Sequence, residues 1–305
     1  MENFLTRLRY SFFHRYDKDR VFKIIFTVFG IIGFSWTLVE CFSWIFEGTT
    51  YPAALRKFIR ENLVWEAIII VLASLLYHRR KVKIQKTFTN TDITIIVEFC
   101  DIFEQQGAAV INAMDTFDTT TANNLVNPRT VYGQFITKYY PTNIQSLDNE
   151  ISLSLANKGF TPIQNDPNLK GKKDRYAIGT SCPITTHNKY FYLTALTFMT
   201  DTGNVDIQPQ YIYDFLSNLW SFIPTHGDYH EIVNIPVIGT GLNRLPASYT
   251  HQFLLREIAN SFFVSSKQKA VCKTLKICLH IKDYKYYDFD EVAILFNHID
   301  KYLNR

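Results

Sequence analysis

Two long runs of apolar residues stand out in the first quarter of the chain. The first covers residues 24–46 and the second residues 63–78. A helix rises about 1.5 Å per residue, so about 20 residues cross the roughly 30 Å hydrocarbon core of a bilayer. The first run is too long, and begins too far into the chain, for a cleaved signal peptide. The pattern predicts two transmembrane helices, with a buried core hairpin as the alternative for the shorter second run.

Basic residues flank both runs and predict how the helices are oriented. Six Lys and Arg residues precede the first run, five follow the second between residues 79 and 86, and three lie in the connecting loop. Because positive charge stays on the cytoplasmic side, both termini are expected there. The predicted organisation is a membrane region at residues 1–88 and a soluble cytoplasmic domain at residues 89–305, joined through a basic linker at residues 79–91.

The pattern changes to alternating short apolar runs and amphipathic segments after residue 89. It predicts strands at residues 93–99, 108–113, 176–180, 190–199, 231–238 and 274–281, and helices at residues 134–140, 209–223, 248–263 and 289–303. Strands that alternate with helices imply a central, largely parallel sheet covered on both faces. The predicted fold class is therefore α/β, with a two-helix membrane hairpin in front of it.

Charge and cysteine content exclude several classes of function. Residues 1–88 carry 14 Lys and Arg against 7 Asp and Glu, whereas residues 89–305 carry 18 against 21. A nucleic-acid-binding domain needs a basic surface, so the mildly acidic soluble domain argues against nucleic acid as a partner. Five scattered cysteines without a CxxC pair argue against a disulfide framework or a zinc site.

Three predicted strand exits carry residues suited to ligand binding. In open α/β sheets, ligands bind in the crevice outside the carboxyl ends of the strands. Asp101 follows the first strand, residues 112–118 contain Asn112, Asp115 and Asp118, and residues 238–244 contain a Gly-x-Gly turn. Glycines let the backbone approach a ligand, and amides before a helix can bind phosphate. A simple tight turn at the glycines, and a turn or cap role for Asp101 and Asp118, are the alternatives.

Together these exits resemble the macro domain, the α/β module that binds ADP-ribose. Cys100-Asp101-Ile102 is similar to the Gly-Asp-Ile of that family, and Ile111-Asn112-Ala113-Met114-Asp115 to its Val-Asn-Ala-Ala-Asn. Gly239-Thr240-Gly241 matches the second phosphate loop. The resemblance implies that Asp101 contacts adenine and that Asn112, Asp115 and Asp118 line the distal ribose. By the same resemblance, the amides of Gly239, Thr240 and Gly241 hold the diphosphate, and Ile238, Leu242 and Asn243 complete the set of expected ligand-binding residues.

One departure from that family concerns catalysis. Macro-domain hydrolases carry a glycine-rich loop after the Asn strand, whereas this chain runs Asp115-Thr-Phe117-Asp118-Thr119 without a glycine triplet. Three features together resemble the macro-domain effector of type II Thoeris anti-phage defence. They are this departure, a later Val131-Tyr-Gly-Gln-Phe135 and the preceding membrane hairpin.

That second resemblance implies a membrane effector of the bacterial cell membrane rather than an enzyme. A partner TIR-domain enzyme would make an ADP-ribose-derived signal, a histidine conjugate. The macro domain would bind the signal, and copies of the protein would assemble and disrupt membrane lipid. No catalytic residue, metal or resident cofactor is expected. A membrane-tethered ADP-ribosyl hydrolase is the main alternative, and a membrane receptor that recruits ADP-ribosylated proteins is a third.

Overall fold

The chain divides into two compact units, and the division lies between Val82 and Lys83. The computed structural model describes residues 18–79, 81–88, 91–121, 125–240 and 245–304. The expected boundary was after residue 88. The expected linker at residues 79–91 is wrong in its second half, because Lys83–Phe88 is a strand, β1, paired with the strand that follows it.

The first unit is a hairpin of two long helices, α1 (Lys18–Ile45) and α2 (Tyr51–Tyr77). The helices pack side by side, and Thr27 Oγ1 near the start of α1 lies 2.9 Å from Nε2 of His78 at the end of α2. Among the described residues, one helix is long and apolar enough to cross a membrane, over Val21–Ile45, and none of its most apolar window is buried. The apolar part of α2, Val64–Tyr77, is shorter.

The second unit is built on a mixed sheet in the order β1-β2-β10-β9-β3-β7-β6, with β8 added beside β7. Five neighbouring strands are parallel: β2 (Ile93–Phe99), β10 (Thr274–Leu279), β9 (Ile232–Pro236), β3 (Ala108–Met114) and β7 (Lys189–Met199). The antiparallel strands β1, β6 (Ser181–Thr186) and β8 (Val205–Asp206) lie outside them. The predicted α/β class with a largely parallel sheet is confirmed.

Helices cover both faces of the sheet. On one face lie α3 (Val131–Tyr139) and α4 (Ile144–Asn157), which pack on β3 and β6. On the other lie α5 (Pro209–His226), α6 (His251–Gln268) and α7 (Phe289–His298), which pack on β7, β2 and β1. The helix starts are set by side-chain caps, since Thr130, Asn143, Thr250 and Asp288 each accept a hydrogen bond from an amide in the first turn.

Several sequence-predicted elements need correction. Residues 176–180 are not a strand, because the extended residues are Asp174–Arg175 (β5), which pair with Gln164–Asn165 (β4) in a short separate hairpin. Helix α5 continues through Pro224 to His226. The last predicted helix reaches Leu303 as expected, but it is α-helical only to His298 and π-helical over Ile299–Leu303. Helix α4 and strand β6 were not predicted, since neither has a run of apolar residues.

Candidate functional site

The ends of the five parallel strands form one edge of the sheet, called here the C-terminal edge. The strands reach it in the spatial order β2, β10, β9, β3 and β7. Neighbouring strands are about 4.8 Å apart, so the exit of β2 lies roughly 10 Å from that of β9, and the exit of β3 about 5 Å further on. The three exits singled out in the sequence therefore follow one another along a single edge.

The exit of β9 is a tight turn around a glycine. Gly239 has a φ of +77°, and a Cβ there would lie 2.8 Å from Leu245 Cδ1 and 3.1 Å from Ile212 Cδ1. The turn is closed by Thr240 Oγ1, which donates to the carbonyl of Val237 at 2.8 Å, and the Ile238 side chain is buried. The positive φ favours glycine here, and any other residue would also displace the end of the Leu245 side chain.

The loop that leaves this turn leads to the N-terminus of α6. Thr250 caps α6 by accepting from the amide of Phe253, and the positive end of the helix dipole faces the same edge of the sheet. The remaining predicted loop residues, Gly241, Leu242 and Asn243, lie outside the described residues.

The exit of β2 carries Asp101 as an exposed side chain. Its Oδ1 accepts a hydrogen bond from the amide of Phe103 at 2.9 Å and so caps a short 3₁₀ turn, Ile102–Glu104. The capping role that the sequence left open is therefore real. Since a carboxylate has two oxygens and can accept several hydrogen bonds, Asp101 keeps capacity to accept from a ligand.

Asn112 lies on β3 and is half-buried. Its neighbours Ile111 and Ala113 belong to the core beneath α3 and α4. Because side chains alternate along a strand, Asn112 faces the opposite layer, the one that holds α5 and α6. Gly239 also packs against that layer, through Ile212 of α5 and Leu254 of α6. The two residues therefore border the same side of the C-terminal edge, and no hydrogen bond joins the Asn112 side chain to a described residue.

The exit of β3 differs from the others because its side chains are buried. Residues 115–119 are all buried, and the Asp115 side chain is fully inaccessible. Its Oδ2 lies 2.5 Å from Nη1 of Arg175, and its Oδ1 accepts from the amide of Met199 at 2.7 Å. Burial raises the pKa of Asp115, and the Met199 amide and the Arg175 guanidinium oppose that rise. A ligand contact with Asp115 would have to displace one of these partners.

Asp118 is buried in the same loop and is also engaged by the protein. Its Oδ2 accepts from Thr116 Oγ1 at 2.6 Å, and its Oδ1 accepts from the amide of Lys172 at 2.8 Å. Between the two aspartates, Phe117 adopts a φ of +47°, a costly backbone conformation for an aromatic residue. The burial of its ring, which packs against Tyr176, holds it there.

Residues 164–175, called here the strap, cover the exit of β3. Lys172 Nζ lies 2.6 Å from Asp148 Oδ1 on α4 and donates to the carbonyl of Phe117 at 2.8 Å. Leu169 anchors the middle of the strap in the core. At its end, Arg175 bonds the β3 exit and donates from Nη2 to the Met199 carbonyl at the end of β7.

Comparison of the sequence with protein families identifies the second unit. Residues 95–280, more than half of the chain, match the profile of the family described as Thoeris protein ThsA, Macro domain. The chain belongs to this family. The profile spans β2 to β10, so it includes every strand exit described above. No curated protein matches the sequence.

Solved macrodomains have a similar chain path at low sequence identity. A mutant of the Oceanobacillus iheyensis macrodomain is 13% identical over 72% of this chain and 100% of its own, with a TM-score of 0.48. The structure described as the Oceanobacillus iheyensis macrodomain with ADP is 13% identical over the same shares, with a TM-score of 0.45.

The sequence reasoning missed the residues that close the β3 exit in this ThsA-type macro domain. Arg175 and Lys172 were not singled out, although Lys170, Lys172, Lys173 and Arg175 form a basic cluster in an otherwise mildly acidic domain. The cluster was a usable signal, because basic side chains beside buried carboxylates indicate ion pairs. The sequence does not show which carboxylates pair with these residues, because the Arg175–Asp115 contact joins residues that are 60 positions apart in the chain.

Proposed function

We propose that this protein is a membrane-anchored sensor whose macro domain binds an ADP-ribose-derived signal, a histidine conjugate made by a partner TIR-domain enzyme. Membership of the Thoeris macro-domain family supports this proposal. The observation that carries it is the order of groups along the C-terminal edge. The span suits one extended nucleotide and contains three groups: an exposed carboxylate at Asp101, a glycine turn at Gly239 before a helix N-terminus, and Asn112.

In this proposal, the adenine end lies at Asp101 and the diphosphate at the turn of Gly239 and Thr240, continued by Gly241 to Asn243. Backbone amides and the dipole of α6 supply the positive potential that phosphates require. The distal ribose and its substituent then extend toward Asn112 and the exit of β3, where Asp115 and Asp118 shape the site from beneath.

The effector step places the helical unit in the bacterial cell membrane, with both chain termini cytoplasmic. The exposed apolar surface of Val21–Ile45 supports insertion, and we propose that α2 forms a second span. A hairpin of two helices cannot enclose an aqueous path, so signal binding is proposed to assemble several copies and disrupt the membrane. A Cβ added at Gly30 or Gly33 on α1 would meet no atom within 4 Å, which leaves room for close helix approach between copies.

Binding without turnover is preferred to the alternative of a membrane-tethered ADP-ribosyl hydrolase. A hydrolase needs a group that can activate water next to the distal ribose. At the exit of β3 both Asp115 and Asp118 are buried and already accept hydrogen bonds from protein groups. Neither carboxylate is placed to act as an exposed base.

The experiment is titration calorimetry of the full chain in detergent with ADP-ribose and its histidine conjugate, followed by recovery of the ligand and by light scattering. We expect saturable binding, intact ligand after long incubation, and an increase in particle mass on binding. Multiple turnovers would move the protein into the hydrolase class. An absence of binding to both compounds would refute the sensor.

Gly241→Glu tests the location of the diphosphate. A side chain and a negative charge at this loop would oppose two phosphates, and the loss of two amide–phosphate bonds would cost roughly 3–6 kcal/mol, two to four decades in affinity. Gly159→Glu is the control, because Gly159 has space around it and lies away from the C-terminal edge. If Gly241→Glu folds and binds as tightly as the parent, the assignment of the phosphate loop is wrong.

A further inference from the structure

The C-terminal edge gives a bound nucleotide a direction. The proposed adenine residue follows β2, the phosphate turn follows β9, and the next exits in space are those of β3 and β7. A ligand that lies along this edge therefore extends its distal end toward β3 and β7. Whatever fixes those two exits fixes the shape of the distal end of the site.

Arg175 adds a further link between these two exits, which the Met199 amide already joins by donating to Asp115 Oδ1. Its Nη1 bonds Asp115 Oδ2 at the end of β3, and its Nη2 donates to the Met199 carbonyl at the end of β7, each at 2.5 Å. The guanidinium also lies 5.5 Å from the ring centroid of Phe198 and within 3.5 Å of Asp166 in the strap. The planar fork of arginine can bond several acceptors at fixed angles, which an ammonium cannot.

The strap carries this guanidinium and closes over the loop beneath it. Lys172 fastens the strap by its amide to Asp118 and by its ammonium to Asp148. The fit is close at Gly171, where an added Cβ would overlap the Asp118 carboxylate. Charged groups at two points and a core leucine, Leu169, therefore hold the strap against residues 115–119.

We propose that Arg175 is a positioning residue that sets the specificity of the site for the distal half of the ligand, by holding the exits of β3 and β7 and the strap in one arrangement. This inference rests on the proposed function. It assigns no contact between Arg175 and the ligand, because the side chain is buried. It states that the distal end is preformed by an internal ion pair, so a ligand must match its shape.

The test compares ADP-ribose with ADP, which has the adenosine and diphosphate but lacks the distal ribose. The parent, in detergent as the full chain, is expected to bind ADP-ribose more tightly than ADP. Arg175→Lys keeps the charge but replaces the planar fork by a single nitrogen, which does not reproduce the fixed angles of the two guanidinium hydrogen bonds. ADP affinity should stay within about twofold of the parent. The preference for ADP-ribose, which is the ratio of the Kd for ADP to the Kd for ADP-ribose, should fall about tenfold. A tenfold change corresponds to the loss of about one hydrogen bond between the ligand and the displaced distal end of the site.

A second variant guards against misfolding. Asp115→Asn with Arg175→Gln replaces the ion pair by a neutral, shorter pair and leaves no uncompensated buried charge. It should fold and should also lose preference for ADP-ribose. The control is Lys273→Met, which breaks the exposed Lys273–Glu231 ion pair near the start of β10 and should leave the affinities for both nucleotides unchanged.

The outcomes separate this inference from the function on which it rests. If the parent prefers ADP-ribose and both variants fold with that preference intact, Arg175 has no positioning role. Equal losses of ADP and ADP-ribose affinity would make it a general structural residue, which also overturns the inference. A parent that binds neither nucleotide would overturn this inference, and a parent that also fails to bind the histidine conjugate would refute the proposed function.

Discussion

The exits of β9 and β3 are neighbours in the sheet but are built in opposite ways. At the β9 exit the turn is built on Gly239, which has no side chain, while at the β3 exit five consecutive residues bury their side chains under the strap. In the proposed site, the amides of the β9 exit bind the diphosphate, which ADP and ADP-ribose share. The β3 exit, whose side chains are buried and ion-paired, has a single fixed shape. We infer that one exit provides affinity and the other selects the ligand.

The two exits also differ in what a substitution would cost. The backbone of Gly239 at the β9 exit has a positive φ, so an added Cβ is the damaging change there. Charged side chains at the β3 exit depend on their partners, because a buried ion that loses its partner has no water to replace it. The predictions below use this difference and run from the largest expected effect to the smallest.

Asp115→Ala should be the most damaging substitution at the β3 exit. It leaves the Arg175 guanidinium, which is almost fully buried, with only the more distant carboxylate of Asp166, at 3.5 Å. Breaking a buried pair from one side typically costs about 3–5 kcal/mol of the free energy of unfolding. Urea denaturation of the full chain in detergent, followed by tryptophan fluorescence, measures it.

Glu231→Ala is the matched control, because it breaks an ion pair with Lys273 in which both side chains are more than half exposed. Exposed pairs contribute about 0–1 kcal/mol, so this variant should unfold close to the parent. If the two variants lose the same stability, the Asp115–Arg175 pair does not differ from a surface pair, and the contrast between the two exits fails.

Gly239→Ala should have a smaller effect on stability and a clear effect on ligand binding. A positive φ costs a non-glycine residue about 1–3 kcal/mol, and the new Cβ must also move Leu245 and Ile212. Gly159→Ala has a φ of +74° with no atom within 4 Å, so it carries the same backbone strain without the crowding.

The comparison of the two glycines separates strain from packing. Gly239→Ala should lose more stability than Gly159→Ala and should weaken ADP and ADP-ribose binding together, because both ligands carry the diphosphate. Gly159→Ala should bind like the parent. Equal stability loss in the two variants with unchanged ligand affinity would mean that the Gly239 turn is only a connection between β9 and α6.

The sequence was sufficient to predict the sheet strands with strong apolar runs and the positions of three of their exits. Strand β2 follows the run Ile93–Phe99, and the glycine turn follows β9 as expected. Such features are local, since a run of β-branched residues and a glycine at a turn are each recognisable within a few positions. Edge strand β1 was not recognised, because its exposed side chains alternate with partly buried ones and read as a polar linker.

The closed state of the β3 exit could not be predicted from the sequence. Asp115 and Asp118 were expected to face the ligand, and nothing local distinguishes a carboxylate that faces a ligand from one that faces a buried arginine. The distinction is made by Arg175 and Lys172, which lie more than 50 residues later in the chain and reach the loop through a two-strand hairpin. Strands of two residues leave no periodic signal.

The smallest expected effect is a pH dependence that belongs to the β3 exit. Burial raises the pKa of Asp115 in the folded protein above its value in the unfolded chain, although the Met199 amide and Arg175 oppose the rise. The folded state therefore favours the protonated carboxyl. The stability from this group is fully present below the unfolded-state pKa, near 3.8, and is lost as pH rises through the folded-state pKa.

Asp115→Asn cannot titrate, so the difference in free energy of unfolding between parent and variant should move in favour of the variant as pH rises through that window. Denaturation of both proteins from pH 3.5 to 7 measures the difference, which cancels the titration of all other groups. If the parent instead gains stability relative to Asp115→Asn as pH rises, Arg175 outweighs burial, and the closed exit is held by its ion pair more strongly than we infer.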